Sequence, residues 1–157
     1  MNTMPPKNTQ PVDLAADLIA KDCLAVRVRM LNRTITAIYD EALRPLGLTT
    51  GQLNILVIVT KRGPMSPGDV ARRFNMEKST VSRNVQRMRK NGWLTVTESG
   101  SGRKQELTLT RQGQTLLEKS VPVWEKAQTR AKAVLGRGGA ASIHSVANTV
   151  WSRNGQE

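Results

Sequence analysis

The side chains best suited to bind a ligand in this sequence are cations spaced along residues 76–91. On a helical wheel, Val81, Val85 and Met88 share one side, as a buried stripe requires. The opposite side is polar and basic, has no acidic residue, and carries Ser79, Arg83, Gln86, Arg87 and Lys90. Arginine presents a fork of donors that can bond O6 and N7 of guanine together. The pattern therefore predicts a helix face that binds nucleic acid.

Two capping boxes precede this helix and predict the elements that position it. Thr49 with Gln52 predicts the start of one helix, although its apolar run Leu53–Val59 is also compatible with a buried strand. Ser66 with Asp69 predicts a short second helix, with Pro67 at its first position. Asn75 is the expected cap of a third helix, Met76–Asn91, which Gly92 ends.

Residues 93–110 change period from helical to alternating. Leu94 and Val96 alternate with threonines, and so do Leu107 and Leu109, which predicts two antiparallel strands. The glycine-rich tip between them carries Arg103 and Lys104. The order helix, turn, helix and two-stranded ribbon over residues 49–110 is that of a winged helix-turn-helix.

This arrangement assigns roles to single residues. We predict DNA contacts on the recognition helix by Lys78, Ser79, Thr80, Ser82, Arg83 and Arg87, and on the wing by Arg103 and Lys104. The short hydroxyl side chains suit phosphate contacts, and the helix N-terminus favours an anion. The N-terminal half of a recognition helix meets base edges, so Ser79 and Arg83 rank above Arg87 for base contact. The wing arginine suits a minor groove.

Long helices are expected on both sides of this region, over residues 12–48 and 111–157. Apolar residues recur every three or four positions from Leu24 to Ala42, which indicates one continuous helix of roughly 30 residues and about 45 Å. A helix of that length exceeds what a small domain can cover and predicts a partner subunit. After Thr110, a second long helix should kink or break at Pro122, with Val121, Trp124 and Val134 among its inward residues. Residues 1–11 are expected to be a disordered start.

The charge totals agree with a polyanionic partner. Lysine and arginine outnumber acidic residues by 24 to 12, a formal net charge of +12 in 157 residues. Residues 61–110 alone hold 11 basic and four acidic side chains. Such a balance suits nucleic acid, an anionic membrane face or an acidic protein. No run of 18 apolar residues is present to span a bilayer.

The sequence offers no set of residues for catalysis, a metal or a cofactor. His144 is the only histidine and Cys23 the only cysteine, which leaves neither a nucleophile–histidine pair nor a zinc cluster. One cysteine also excludes an internal disulfide and favours a reducing, cytoplasmic setting. We therefore expect no enzyme activity and no cofactor. Cys23 is interpreted as a small hydrophobe, with peroxide sensing as the alternative.

Three segments resemble the MarR family of bacterial winged helix-turn-helix regulators. They are the helix end Tyr39–Thr49, the stretch from Asp69-Val70-Ala71 to Thr80-Val81-Ser82-Arg83, and the wing exit Leu107–Gly113. The resemblance implies a mainly α fold with a small antiparallel β wing and long N- and C-terminal dimerisation helices. It departs from the family at the wing, where Ser101-Gly102-Arg103 replaces the common Asp-x-Arg, so the aspartate that would brace the arginine is absent.

The same resemblance implies a homodimer that binds a pseudo-palindromic operator, usually as a repressor, in the cytoplasm and at the nucleoid when bound. Many members release DNA when a small aromatic or phenolic effector enters a cleft beside the dimerisation helices. Arg27, Met30 and Arg33 are our candidates for that cleft. The alternatives are a sequence-independent DNA-coating protein and a winged helix that serves as a protein-interaction scaffold.

Overall fold

The structure, a computed structural model, describes residues 10–99 and 104–153. It comprises two compact units, Met1–Ile35 and Thr36–Glu157. The elements are α1 (Pro11–Asp22), α2 (Leu24–Leu43), α3 (Thr50–Arg62), α4 (Pro67–Arg73), α5 (Lys78–Lys90), β1 (Leu94–Ser99), β2 (Lys104–Leu109), α6 (Arg111–Leu135) and α7 (Gly139–Arg153), with a 3-10 turn at Arg44–Leu46. The predicted fold class, mainly α with a small antiparallel wing, is confirmed.

The first unit contains α1 and the beginning of α2, and it corrects the prediction of one 30-residue helix. The helix breaks at Cys23, whose backbone is extended (φ −64°, ψ 106°). The Arg27 guanidinium donates to the carbonyl oxygens of Lys21 and Cys23, so the Lys21 carbonyl, which the break leaves without its helical donor, is satisfied. Helix α2 therefore has 20 residues and a length of about 30 Å. Residues 1–9 of the expected disordered start lie outside the described residues.

The core of the second unit forms around α3, which begins with the predicted capping box. The Thr49 hydroxyl accepts from the Gln52 amide at 3.3 Å, and the Gln52 side chain accepts from the Thr49 amide at 3.0 Å. Leu53, Ile55 and Leu56 are buried. The cap thus decides between helix and buried strand in favour of helix. The remaining buried apolar side chains of this core include Leu43, Leu48, Ile58, Val59, Val70, Val81, Val85, Met88, Trp93, Leu94 and Leu107.

Strands β1 and β2 form the ribbon that the alternating pattern predicts. Their register pairs Leu94 with Leu109 and Val96 with Leu107. Leu94 and Leu107 are buried, so one face of the ribbon closes the core. The amide of Leu107 also donates to the carbonyl of Met65 at 2.9 Å, which ties β2 to the segment before α4.

Helix α6 begins where predicted and passes through Pro122 without ending, so of the predicted kink or break the break is wrong. Ala127 and Ala131 are buried, whereas Val121, Trp124 and Val134, expected to face inward, are exposed in the single chain. Tyr39, near the end of α2, donates a hydrogen bond to the Gln128 side chain, and Arg130 pairs with Glu41 at 2.8 Å. Burial raises the pKa of Tyr39, so it remains a neutral donor. A turn at Gly136 with positive φ separates α6 from α7.

Candidate nucleic-acid interface

The first helix of the predicted DNA-binding motif, α4, is fixed by a reciprocal cap. The Ser66 hydroxyl accepts from the Asp69 amide at 3.1 Å, and the Asp69 carboxylate accepts from the Ser66 amide at 3.2 Å and its hydroxyl at 2.7 Å. These hydrogen bonds, with a smaller contribution from paired Arg72, lower the pKa of Asp69. The second capping box is therefore confirmed.

The turn between α4 and α5 depends on a left-handed residue. Asn75 has a φ of 49°, and the Met76 amide donates to the Ala71 carbonyl at 2.8 Å to close the end of α4. Asn75 therefore ends α4, and the prediction that it caps the next helix is wrong. Glu77 takes that position, and α5 begins at Lys78, two residues later than predicted.

Helix α5 packs against the core through the three apolar residues that the helical wheel predicts. Val81 and Met88 are fully buried and Val85 nearly so. This contact fixes the rotation of the helix about its axis. The opposite side is presented to solvent, with exposed side chains at Lys78, Ser79, Ser82, Arg83, Gln86, Arg87 and Lys90, and with Thr80 half-buried. The structure thus places all six predicted recognition-helix residues on α5 and five of them in the open.

Arg83 lies near the middle of the exposed face. Its guanidinium donates to the Thr80 hydroxyl at 3.3 Å, one turn earlier on the helix. Between Lys78 and Lys90 the helix carries five cationic side chains and no acidic one. Together with the positive end of the helix dipole at the N-terminus of α5, these cations make the face attractive to a polyanion.

The structure describes both strands of the wing but not the tip between them. Lys104 is the first residue of β2 and pairs with Ser99 of β1. Arg103, the other predicted wing contact, lies in the segment 100–103 outside the described residues, as do Ser101 and Gly102. Their contact with DNA remains a prediction.

A junction connects α5, the wing and α6, and the sequence predicted only one part of it, the cap of α6 at Thr110. Gly92 has a φ of 71°, which allows the Trp93 amide to donate to the Met88 carbonyl at 2.9 Å. The Thr110 hydroxyl donates to the Gly92 carbonyl at 2.6 Å and accepts from the Gly113 amide at 3.0 Å. Thr110 also donates its own amide to the Trp93 carbonyl at 3.1 Å. One residue thus caps α6 and fastens the end of the recognition helix.

A second missed link connects the end of α2 to α3. The Asp40 carboxylate accepts from both the amide and the hydroxyl of Thr50 at 2.7 Å. An anion is favourable at this position because it faces the N-terminus of α3. The sequence marks Thr50 as the first residue after the helix cap, but nothing in the spacing of residues identifies Asp40 as its partner.

The candidate effector residues Arg27, Met30 and Arg33 all lie on α2 in the first unit. Arg27 is engaged with the carbonyl oxygens at the α1–α2 junction, while Met30 and Arg33 are exposed. Cys23 is a half-buried free thiol at the same junction. Among the described residues, no three His, Cys, Asp or Glu side chains cluster in a way that could hold a metal ion. No single described helix has the length and apolar composition to cross a membrane.

Comparison with known proteins matches the winged segment to one family. A sequence model described as the MarR family matches residues 46–105. The chain is also 29% identical over 82 residues to YwoH of Bacillus subtilis, an uncharacterized HTH-type transcriptional regulator. That match covers 52% of this chain and 60% of the length of YwoH.

Solved structures share the fold over most of the chain. The transcriptional regulator MosR of M. tuberculosis is 27% identical with a TM-score of 0.72, covering 85% of this chain and 97% of MosR. MosR in complex with DNA is 28% identical with a TM-score of 0.71, at 85% and 98% coverage. A mutant of MarR from E. coli, complexed with operator DNA, shares the fold at 18% identity and a TM-score of 0.73, at 84% and 96% coverage.

Proposed function

We propose that the chain, whose residues 46–105 match the MarR family, is a winged helix-turn-helix regulator that binds specific duplex DNA sequences and regulates transcription. The observation that carries this proposal is the exposed face of α5, which is basic and has no acidic side chain from Lys78 to Lys90. The complex of MosR with DNA, at 28% identity, supports the same use of the fold. Arg83 and Ser79 contact base edges in this proposal, and Lys78, Thr80, Ser82 and Arg87 contact the backbone.

The wing is the second proposed contact with DNA. Lys104 begins β2, and Arg103 precedes it in the chain. Glycines on the N-terminal side of Arg103 permit a close approach to the sugar–phosphate backbone. We place Arg103 at the minor groove and Lys104 on a phosphate.

The chain acts as a homodimer in this proposal. Large apolar side chains stay exposed on α1, α6 and α7 of the single chain: Val12, Leu14, Leu18, Ile19, Val121, Trp124, Val134, Val146, Val150 and Trp151. Large apolar side chains that stay exposed in this way are characteristic of helices that pack against a partner subunit. Two copies related by a twofold axis would read a pseudo-palindromic site with half-sites about one helical turn apart.

The regulator is proposed to be a repressor whose DNA affinity depends on a small aromatic or phenolic effector. Bound at a promoter in the bacterial cytoplasm, the dimer would block polymerase and associate with the nucleoid. Met30 and Arg33 are exposed on α2 and, with Arg27, form the proposed effector contacts. An effector releases DNA only to the extent that it prefers the conformation that does not bind DNA.

Selection of bound sites from a random duplex pool at near-physiological salt tests this proposal. We expect an enriched palindromic motif whose half-sites lie about 10 base pairs apart. Binding without an enriched motif would instead indicate a DNA-coating protein. If no duplex is retained, the protein is either a scaffold or a dimer occupied by a co-purified effector, and mass spectrometry of small molecules released on denaturation separates these two cases.

A further inference from the structure

One carboxylate lies at the N-terminus of the proposed recognition helix, where every other charged side chain nearby in sequence is positive. Between residues 70 and 97, Glu77 is the only acidic residue, against seven lysines and arginines. It directly precedes Lys78, the first residue of α5, and its side chain is exposed. Resting on the proposed function, we propose that Glu77 is a specificity-determining residue that accepts a hydrogen bond from the exocyclic amino group of a cytosine in the major groove.

Glu77 does not perform the usual role of a residue at this position, which is to cap the helix with its side chain. It is the N-cap of α5, yet its side chain makes no capping hydrogen bond. Among the described residues it forms no ion pair, although cations surround it in sequence. The carboxylate oxygens are therefore available to a ligand.

The electrostatic setting restricts what that ligand can be. In a bound complex, a carboxylate beside DNA phosphates is repelled and weakens binding wherever it meets no donor. In the major groove, the N4 amino group of cytosine is the donor that glutamate and aspartate accept from. Since the start of a recognition helix meets base edges, Glu77 is placed to face one. The residue thus lowers affinity for sites that lack the cytosine more than for sites that have it.

Two substitutions separate base reading from simple repulsion. Glu77→Ala removes the acceptor, and we expect preference at one base pair of each half-site to fall about 10-fold while affinity for random duplex rises. Glu77→Gln keeps the length of the side chain and adds donors, and we expect the preferred base at that position to change toward adenine, which glutamine bonds through N6 and N7. Glu118→Gln, an exposed carboxylate change on α6, is the charge-matched control and should leave the motif unchanged.

The experiment is site selection with wild type and all three variants, followed by affinity measurements on each single-base change of the selected site. Thermal melts check that the variants remain folded. A uniform rise in affinity with an unchanged motif would show that Glu77 only repels the backbone, and would overturn the inference. An unchanged motif with a lower melting temperature would show that it only stabilises the helix N-terminus, and would overturn it equally. If wild type selects no motif, the proposed function itself fails, a result that the variants cannot mimic.

Discussion

Replacing Arg83 by alanine is expected to lower the affinity for the selected operator at least about 10-fold per half-site and to relax preference at one base pair. The guanidinium is exposed at the centre of the α5 face and is oriented by the Thr80 hydroxyl at 3.3 Å. A fork of donors that pairs with O6 and N7 of guanine distinguishes that base from the other three. Alanine removes both hydrogen bonds, and with them the preference for guanine at that base pair. Titration of wild type and variant against all single-base changes of the site measures the effect.

Arg89→Ala is the matched control, because it removes the same charge from the same helix. Arg89 lies on the side of α5 that faces a shallow groove lined by Leu94, Thr95 and Val96 of β1. We expect it to weaken binding slightly and equally for every sequence, as the loss of one phosphate-range charge would. Identical base preferences in the Arg83 and Arg89 variants would show that Arg83 does not contact a base.

The second large effect is on stability. Gly113→Ala is expected to cost about 3 kcal/mol or more, the upper end of the cost of overpacking, and to lower the melting temperature by roughly 6–12 °C. A methyl carbon at residue 113 would overlap the carbonyl oxygen of Trp93 and lie 3.0 Å from its carbonyl carbon. Both obstacles are backbone atoms of the junction that fastens α5 to α6, so relief requires the helix or the strand to move. Thermal unfolding followed by circular dichroism gives the shift.

Gly51→Ala provides a control of opposite sign on α3. A methyl group there meets the Asn84 side-chain nitrogen at 3.6 Å, an ordinary contact. Helical glycine replaced by alanine without strain stabilises a protein by about 0.4–1 kcal/mol, mainly by reducing the entropy of the unfolded chain. If both glycine variants melted at the temperature of wild type, the close approach of Gly113 to Trp93 would not exist in solution.

The winged segment was predictable because its local signals are strong and agree with one another. The caps at Thr49 and Ser66 involve residues three positions apart, and the stripe Val81, Val85 and Met88 needs only helical periodicity. The ribbon follows from period-two alternation. Each of these depends on residues that are close in sequence, and the structure confirms each of them.

The errors concern features that the tertiary structure decides. Helix α2 is preceded by a break at Cys23, where neither glycine nor proline marks an end. Asn75 has a side chain that suits either a cap or a left-handed turn, and the return of the chain from α4 selects the turn. In the sequence, Gly113 is like any glycine in a helix, and only the fold shows that the Trp93 backbone lies against it. Residues far apart in sequence, such as Asp40 with Thr50, pair only once the fold brings them together.

Helix α5 is proposed to present a sequence-reading surface, and the ratio of two DNA affinities tests this most directly. Wild-type protein is titrated at near-physiological salt with the selected duplex and with a shuffled duplex of equal length and composition. We predict a ratio of at least about 10³, with two chains bound per selected site. A ratio near one, accompanied by a steep loss of binding to both duplexes as salt increases, would mean that the surface reads only phosphates and would contradict the account.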